Sequence, residues 1–224
     1  MSTNKGPATR PSFFNPKSAG TRFLTGLSNL IIVNFLFLLT CVPVITIGAS
    51  VTSLYRITIA ILAGDNPSVW RDYLSTFKNN FLKATLLQFL YMGLTAFFLF
   101  EIYMVNNMMD QQYYWAQYPA YFFLFAIFAS SIYAFPLLAW FEESFKQILK
   151  NSVLIAVSNL PVTIMITALT AGLAWVAYQF TVTTMSLMIF MGFSFIAFFN
   201  SIFLKRIFEK LGAKISFEEK EGRD

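Results

Sequence analysis

Pro43-Val44-Ile45-Thr46-Ile47-Gly48-Ala49-Ser50-Val51-Thr52-Ser53-Leu54-Tyr55-Arg56-Ile57-Thr58-Ile59-Ala60-Ile61-Leu62-Ala63-Gly64 is an apolar run carrying a single cation. Whether it crosses a bilayer decides the topology of everything after it. It follows an unambiguous apolar stretch at 23–46, from which it is separated by Pro43 and Gly48. Pro ends one helix, and Gly permits a reversal. If the run did not cross after 23–46 had done so, Arg71, Lys78 and Lys83 would lie outside, and every later linker would break the positive-inside rule. At 1.5 Å per residue, 47–64 reaches about 27 Å, just enough for a hydrocarbon core. The sequence therefore predicts a short second span over 48–64.

The rest of the chain agrees with a membrane setting. Of its 224 residues, 57% are hydrophobic, 18% aromatic and 12% charged. That is about half the charge of an ordinary soluble domain. There is no His, so imidazole bases, proton shuttles and His-ligated metals are excluded, and the single Cys41 rules out an intrachain disulfide. Fifteen of the 16 Lys and Arg fall in four clusters. These lie before residue 23, at Arg71–Lys83, at Lys146–Lys150 and from Lys205 onward. The linkers Asn106–Tyr118 and Gln179–Thr184 hold no Lys or Arg. The pattern predicts an all-α polytopic bundle of about six spans, at 23–46, 48–64, 84–105, 119–141, 152–178 and 184–204, with both termini cytoplasmic. Residues 1–22 form a cytoplasmic N-terminal segment and 205–224 a charged cytoplasmic tail. The apolar stretch from Phe23 is too long for the core of a cleaved signal peptide.

Two cytoplasmic connections carry aromatic–basic patterns. After Asp65-Asn66-Pro67, a helix-start signal, Trp70, Tyr73, Leu74, Phe77 and Phe81 share one helical face, with Arg71, Asp72, Ser75, Lys78 and Asn79 on the other. This predicts a short amphipathic helix on the inner leaflet, leading into the third span. Phe145-Lys146 and Leu149-Lys150 echo Phe77-Lys78 and Leu82-Lys83. The echo reads as ordinary interfacial entry, as a degenerate internal repeat, or as a docking surface in which Trp70, Phe77, Lys78, Phe145 and Lys146 contact a cytoplasmic partner.

Asn34, the Pro43-Val44-Ile45-Thr46-Ile47-Gly48 turn, Leu54-Tyr55, the Phe77–Lys83 stretch and Asn159-Leu160-Pro161 together resemble the YesL-like family of bacterial membrane proteins, over about Phe14 to Arg206. The family is a domain of unknown function. Its members are commonly encoded beside carbohydrate-uptake genes of Gram-positive bacteria, often near ABC sugar importers. The resemblance implies that neighbourhood and a multi-pass protein of the plasma membrane, and it carries over no catalytic residue.

Arg56 is the leading candidate for chemistry, because a charge inside a span costs roughly 2.5–3.5 kcal/mol on insertion scales. Counted from Gly64 it lies about 12 Å deep. It either snorkels or pairs inward with Asn34 or with carbonyls freed around Pro43. Asn34, Pro43, Thr46, Gly48 and Asn159 complete the set of intramembrane candidates, and Asn159-Leu160-Pro161 predicts a kink in the fifth span. Asn29, Gln88 and Asn200 read as interhelical hydrogen-bonding residues. Ser130-Ser131 lacks a base, and no phosphate loop or metal-ligand cluster is present. The expectation is a protein without catalytic, cofactor or metal sites and without nucleic-acid contacts. Its expected role is that of an accessory or regulator of carbohydrate uptake, contacting lipid and either ABC importer subunits or copies of itself. The alternative is a small sugar permease acting as a homo-oligomer.

Overall fold

The computed structural model describes residues 19–65, 67–179 and 186–210. The N-terminal segment up to residue 18, the 180–185 stretch of the second linker and the tail beyond 210 lie outside the described residues. The described residues are helical: α1 (Ala19–Thr40), α2 (Ile47–Ala63), α3 (Val69–Met108), α4 (Gln117–Trp140), α5 (Phe145–Ser158), α6 (Leu160–Gln179) and α7 (Phe193–Lys210). A 3-10 turn at Val44–Thr46 precedes α2, another at Gln111–Ala116 precedes α4, and a π turn at Met188–Gly192 leads into α7.

Local chemistry accounts for most of the breaks. Pro43 is extended and stops the backbone after α1, and Thr46 closes a 3-10 turn onto its carbonyl at 3.0 Å. Gly64 ends α2 in the left-handed region, at φ 89°, where its amide and that of Asp65 bond back to the Ile61 and Ala60 carbonyls. A side chain at Gly64 would strain that cap. The Ser144 hydroxyl caps α5 by accepting from the Gln147 amide.

Four helical segments are long and apolar enough to cross a membrane: Val44–Ala63, Val69–Met108, Gln111–Trp140 and Met188–Lys210. α5 and the first part of α6 make a fifth if a pair bent by 95° counts as one span. Leu24–Thr40 is apolar but shorter. The chain is thus an all-α protein whose helices are compatible with a membrane-embedded state.

Three predicted boundaries differ. The first run ends at Thr40 rather than 46, because Pro43 and the 3-10 turn take up the remainder. The expected short amphipathic helix and third span are one uninterrupted helix of 40 residues, since nothing between Val69 and Met108 breaks it. The expected kink at Asn159-Leu160-Pro161 is a corner of 95°, not a gentle bend in a straight span over 152–178. Pro161 has no amide hydrogen to continue α5, and α5 closes at Asn159, whose amide and side chain both donate to the Ile155 carbonyl.

α2 is the hub of the fold. Gly48, Ala49, Ser50, Thr52, Ser53, Leu54, Arg56, Ile57, Thr58, Ile59 and Ala60 are all buried. One core joins Val33, Leu36, Phe37, Leu54, Ile57, Val69, Tyr73 and Ala197 across α1, α2, α3 and α7. A second joins Ile59, Ala60, Leu87, Tyr133, Leu137, Trp140, Ile148, Leu204 and Phe208 across α2, α3, α4, α5 and α7.

Candidate functional site

The tip of the α1–α2 hairpin is stapled to α3 by one side chain. Gln88 accepts from the Gly48 amide at 2.7 Å through Oε1 and donates to the Val44 carbonyl at 2.6 Å through Nε2. It thereby satisfies an orphan donor at the first turn of α2 and a carbonyl of the 3-10 turn. The Thr85 hydroxyl adds a bond to the Ile45 carbonyl at 3.3 Å. Gly48 is required by contact: a Cβ there would stand 2.5 Å from the Ala84 carbonyl oxygen. Thr46 bonds inward through its hydroxyl to the Thr40 and Pro43 carbonyls. Thr40 in turn joins Ser50 at 2.9 Å and the Tyr73 hydroxyl at 2.6 Å.

Asn34 is fully buried and faces the π turn, not Arg56. Its Nδ2 donates to the carbonyls of Met188 at 3.2 Å and Ile189 at 2.8 Å, and its Oδ1 accepts from the Ser194 amide at 3.1 Å. A π turn leaves backbone groups out of the ordinary helical ladder. One amide side chain takes up two of the turn's carbonyls here, and the Ser194 amide at the start of α7 besides.

Arg56 is 6% exposed, and its guanidinium lies 3.9 Å from the centre of the Trp140 ring. The face of an indole attracts a cation, most strongly when both are desolvated. The carboxylates of Asp72, Asp65 and Glu142 add an attractive field at the guanidinium. Of the partners considered from sequence, Asn34 is bonded to the π turn and to Ser194, and the carbonyls of Thr40, Pro43, Val44 and Ile45 accept from Thr46, Gln88 and Thr85. Trp140 carried no local signal of this role, because it lies 84 residues from Arg56 in sequence.

Further polar side chains form helix-to-helix bonds. Tyr91, Ser130 and Ser152 form a hydroxyl chain at 2.8 and 2.9 Å linking α3, α4 and α5. Tyr133 meets Thr163 at 2.9 Å, and Thr163 donates to the Ala156 carbonyl at 3.0 Å. Thr58 meets Ser201 at 3.0 Å, and Asn200 donates to Tyr55 at 3.4 Å. Each of these hydroxyls is engaged with a neighbouring helix. Among the described residues no three metal-ligating side chains converge.

The five residues considered for partner contact divide. Trp70 is 60% exposed, and Lys78 and Lys146 are exposed. Phe77 and Phe145 lean against the core and leave only part of each ring at the surface.

A cavity of about 630 Å³ lies beyond the hairpin tip, between α3 and α4. Its floor is Gly48, Gln88 and Tyr91, and its walls include Leu99, Leu124 and Phe128.

Residues 30–102 match the model of a protein family of unknown function, DUF624. The matched segment holds Asn34, the hairpin tip, all of α2 and most of α3. No curated protein and no solved structure matches the chain. The comparisons thus relate this segment, and with it the staple at Gln88, to a domain of unknown function.

Proposed function

We propose that this chain is a non-enzymatic accessory or regulatory membrane protein, tied to carbohydrate uptake and acting by holding a partner on its basic face. One observation carries the reading. The buried polar side chains Asn34, Gln88, Ser130, Ser152, Thr163 and Ser201 are each engaged in bonds between helices, which suits a scaffold better than a polar conduit. The exposed Trp70, Lys78 and Lys146 supply an aromatic anchor and cations for a partner, the pattern of an interaction surface. The resemblance to YesL-like proteins supports the carbohydrate connection, with ABC importer subunits as the first partners to test. The positive-inside rule supports placing the basic face in the cytoplasm of a bacterial, and by that resemblance Gram-positive, plasma membrane.

The permease alternative asks for polar groups along a path. The cavity between α3 and α4 carries Gln88, Tyr91, Thr95 and Ser131 among its apolar walls, and since Gln88 and Tyr91 are already bonded to neighbouring elements it supports that path poorly. A native-expression pull-down with mass spectrometry tests the main reading. Importer subunits should co-purify with the wild type and fall away with Trp70→Ala plus Lys78→Glu. Their absence from the wild-type eluate, together with sugar uptake by proteoliposomes of this protein alone, would transfer the assignment to the permease.

A further inference from the structure

The depth of the α1–α2 hairpin follows from what lies beside it. The Gly48 amide bonds Gln88, and the Ile45 carbonyl bonds Thr85, so the hairpin tip is level with Thr85–Gln88. At the other end only Gly64–Ser68 separates α2 from Val69. α2 therefore runs antiparallel along Val69–Gln88, the half of α3 that carries Arg71, Lys78 and Lys83, and not along the apolar half that follows.

Cations reach the tip's own level on two separate elements. Lys83 lies about one turn short of Gln88 on α3, where its ammonium donates to the Glu143 carbonyl at 3.1 Å. On α5, Ser152 joins Tyr91 through Ser130, which sets the exposed Lys150 at about the height of Phe89. A hairpin that crossed the bilayer would hold its tip one hydrocarbon thickness, about 30 Å, away from such residues. Past the tip, α3 continues from Gln88 to Met108, which at 1.5 Å per residue is again about 30 Å. That length has no Lys or Arg, and Phe89, Leu94, Phe97, Leu99 and Phe100 stand exposed along it.

We propose that α1 and α2 form a re-entrant hairpin that enters and leaves the bilayer on the basic side, its apolar tip seated among the acyl chains of that leaflet. The tip is suited to hydrocarbon, with Val42 77% exposed and Leu39, Val44 and Ile45 exposed beside it. The cavity beyond it continues the same apolar lining between α3 and α4. Charge parity survives, since a pair of helices that turns back leaves every later linker on the same side as a pair that crosses twice. Arg56, midway along α2, then stands level with about Lys78, where a cation and Trp140 belong to the interface rather than to the membrane interior.

Thiol labelling tests this in a Cys41→Ser background. An impermeant maleimide is offered to one face of sealed vesicles at a time, to V42C, I45C, N107C and K78C variants. N107C should label from one face and K78C from the other. V42C and I45C should label from the N107C face at least roughly tenfold more slowly than N107C does, because a thiol held in hydrocarbon does not ionise. As a second readout, a bimane on V42C should be quenched by lipid brominated at mid-chain, and one on N107C should not. Position 42 differing from position 107 in both measurements supports the re-entrant hairpin. Position 42 behaving like position 107 in either one overturns it. I45C keeps the test open should V42C fail to fold.

Discussion

The α1–α2 and α3–α4 hairpins are both pairs of apolar helices, yet they are built on opposite plans. In the first, α2 is buried on nearly every side, and the connection is tied down by Gln88, Thr85 and the Thr40–Ser50–Tyr73 hydroxyls. In the second, the distal half of α3 exposes Phe97, Leu99 and Phe100, and α4 exposes Tyr118, Phe122 and Phe123. At its far end the second pair is joined by the buried Val105 and Ala120, by ring contacts such as Phe98 on Phe123 at 5.0 Å, and by Asn106 on Gln117 at 3.1 Å. Hydropathy alone does not distinguish them. What separates them is whether the apolar surface is covered by protein or left for lipid, and in a bilayer only the first costs stability when trimmed.

That contrast can be broken or sharpened by four substitutions, each read as a change in unfolding free energy of the reconstituted protein. Trp140→Ala should cost the most, about 3–5 kcal/mol, because it empties a core position and strips the ring from Arg56. Gly48→Val should cost about 2–3 kcal/mol, since its Cβ must displace the α3 backbone at Ala84. Gln88→Leu should cost about 1–3 kcal/mol by leaving the Gly48 amide and the Val44 carbonyl unsatisfied in an apolar setting. Phe100→Leu, on the exposed arm, should stay within about 0.5 kcal/mol. A loss of more than about 1 kcal/mol at Phe100 would place protein, not lipid, against α3 and remove the difference between the hairpins. Neutral results at both Gly48 and Gln88 would remove it from the other side.

The sequence is most informative about where helices begin and end. Gly64, Asp65 and Pro67 mark the α2–α3 turn, Pro43 marks the hairpin tip, and Asn159-Leu160-Pro161 marks the α5–α6 corner. It is least informative about the relative height of neighbouring helices. An apolar run of suitable length reads as a span whether it lies beside the apolar or the charged half of α3, because the level is set by non-local bonds such as Gln88 to Gly48. The same reason hides the partner of Arg56: Trp140 reads locally as the end of α4, and only packing brings the two together. Asn34 could be singled out as a buried amide, but its partners belong to the π turn and the first turn of α7, and no residue pattern in Met188–Gly192 announces that turn.

That π turn has a rotational consequence. An α-helix advances 100° per residue, so a turn that accommodates one extra residue shifts the angular phase of everything on one side of it relative to the other by about that amount. Ser201 faces Thr58 and Asn200 faces Tyr55 beyond the turn, while Met188 and Ile189, within it, present their carbonyls to Asn34. The three bonds of Asn34 therefore act as an index pin. They fix which stripe of the last helix meets the bundle, the one that carries Asn200 and Ser201.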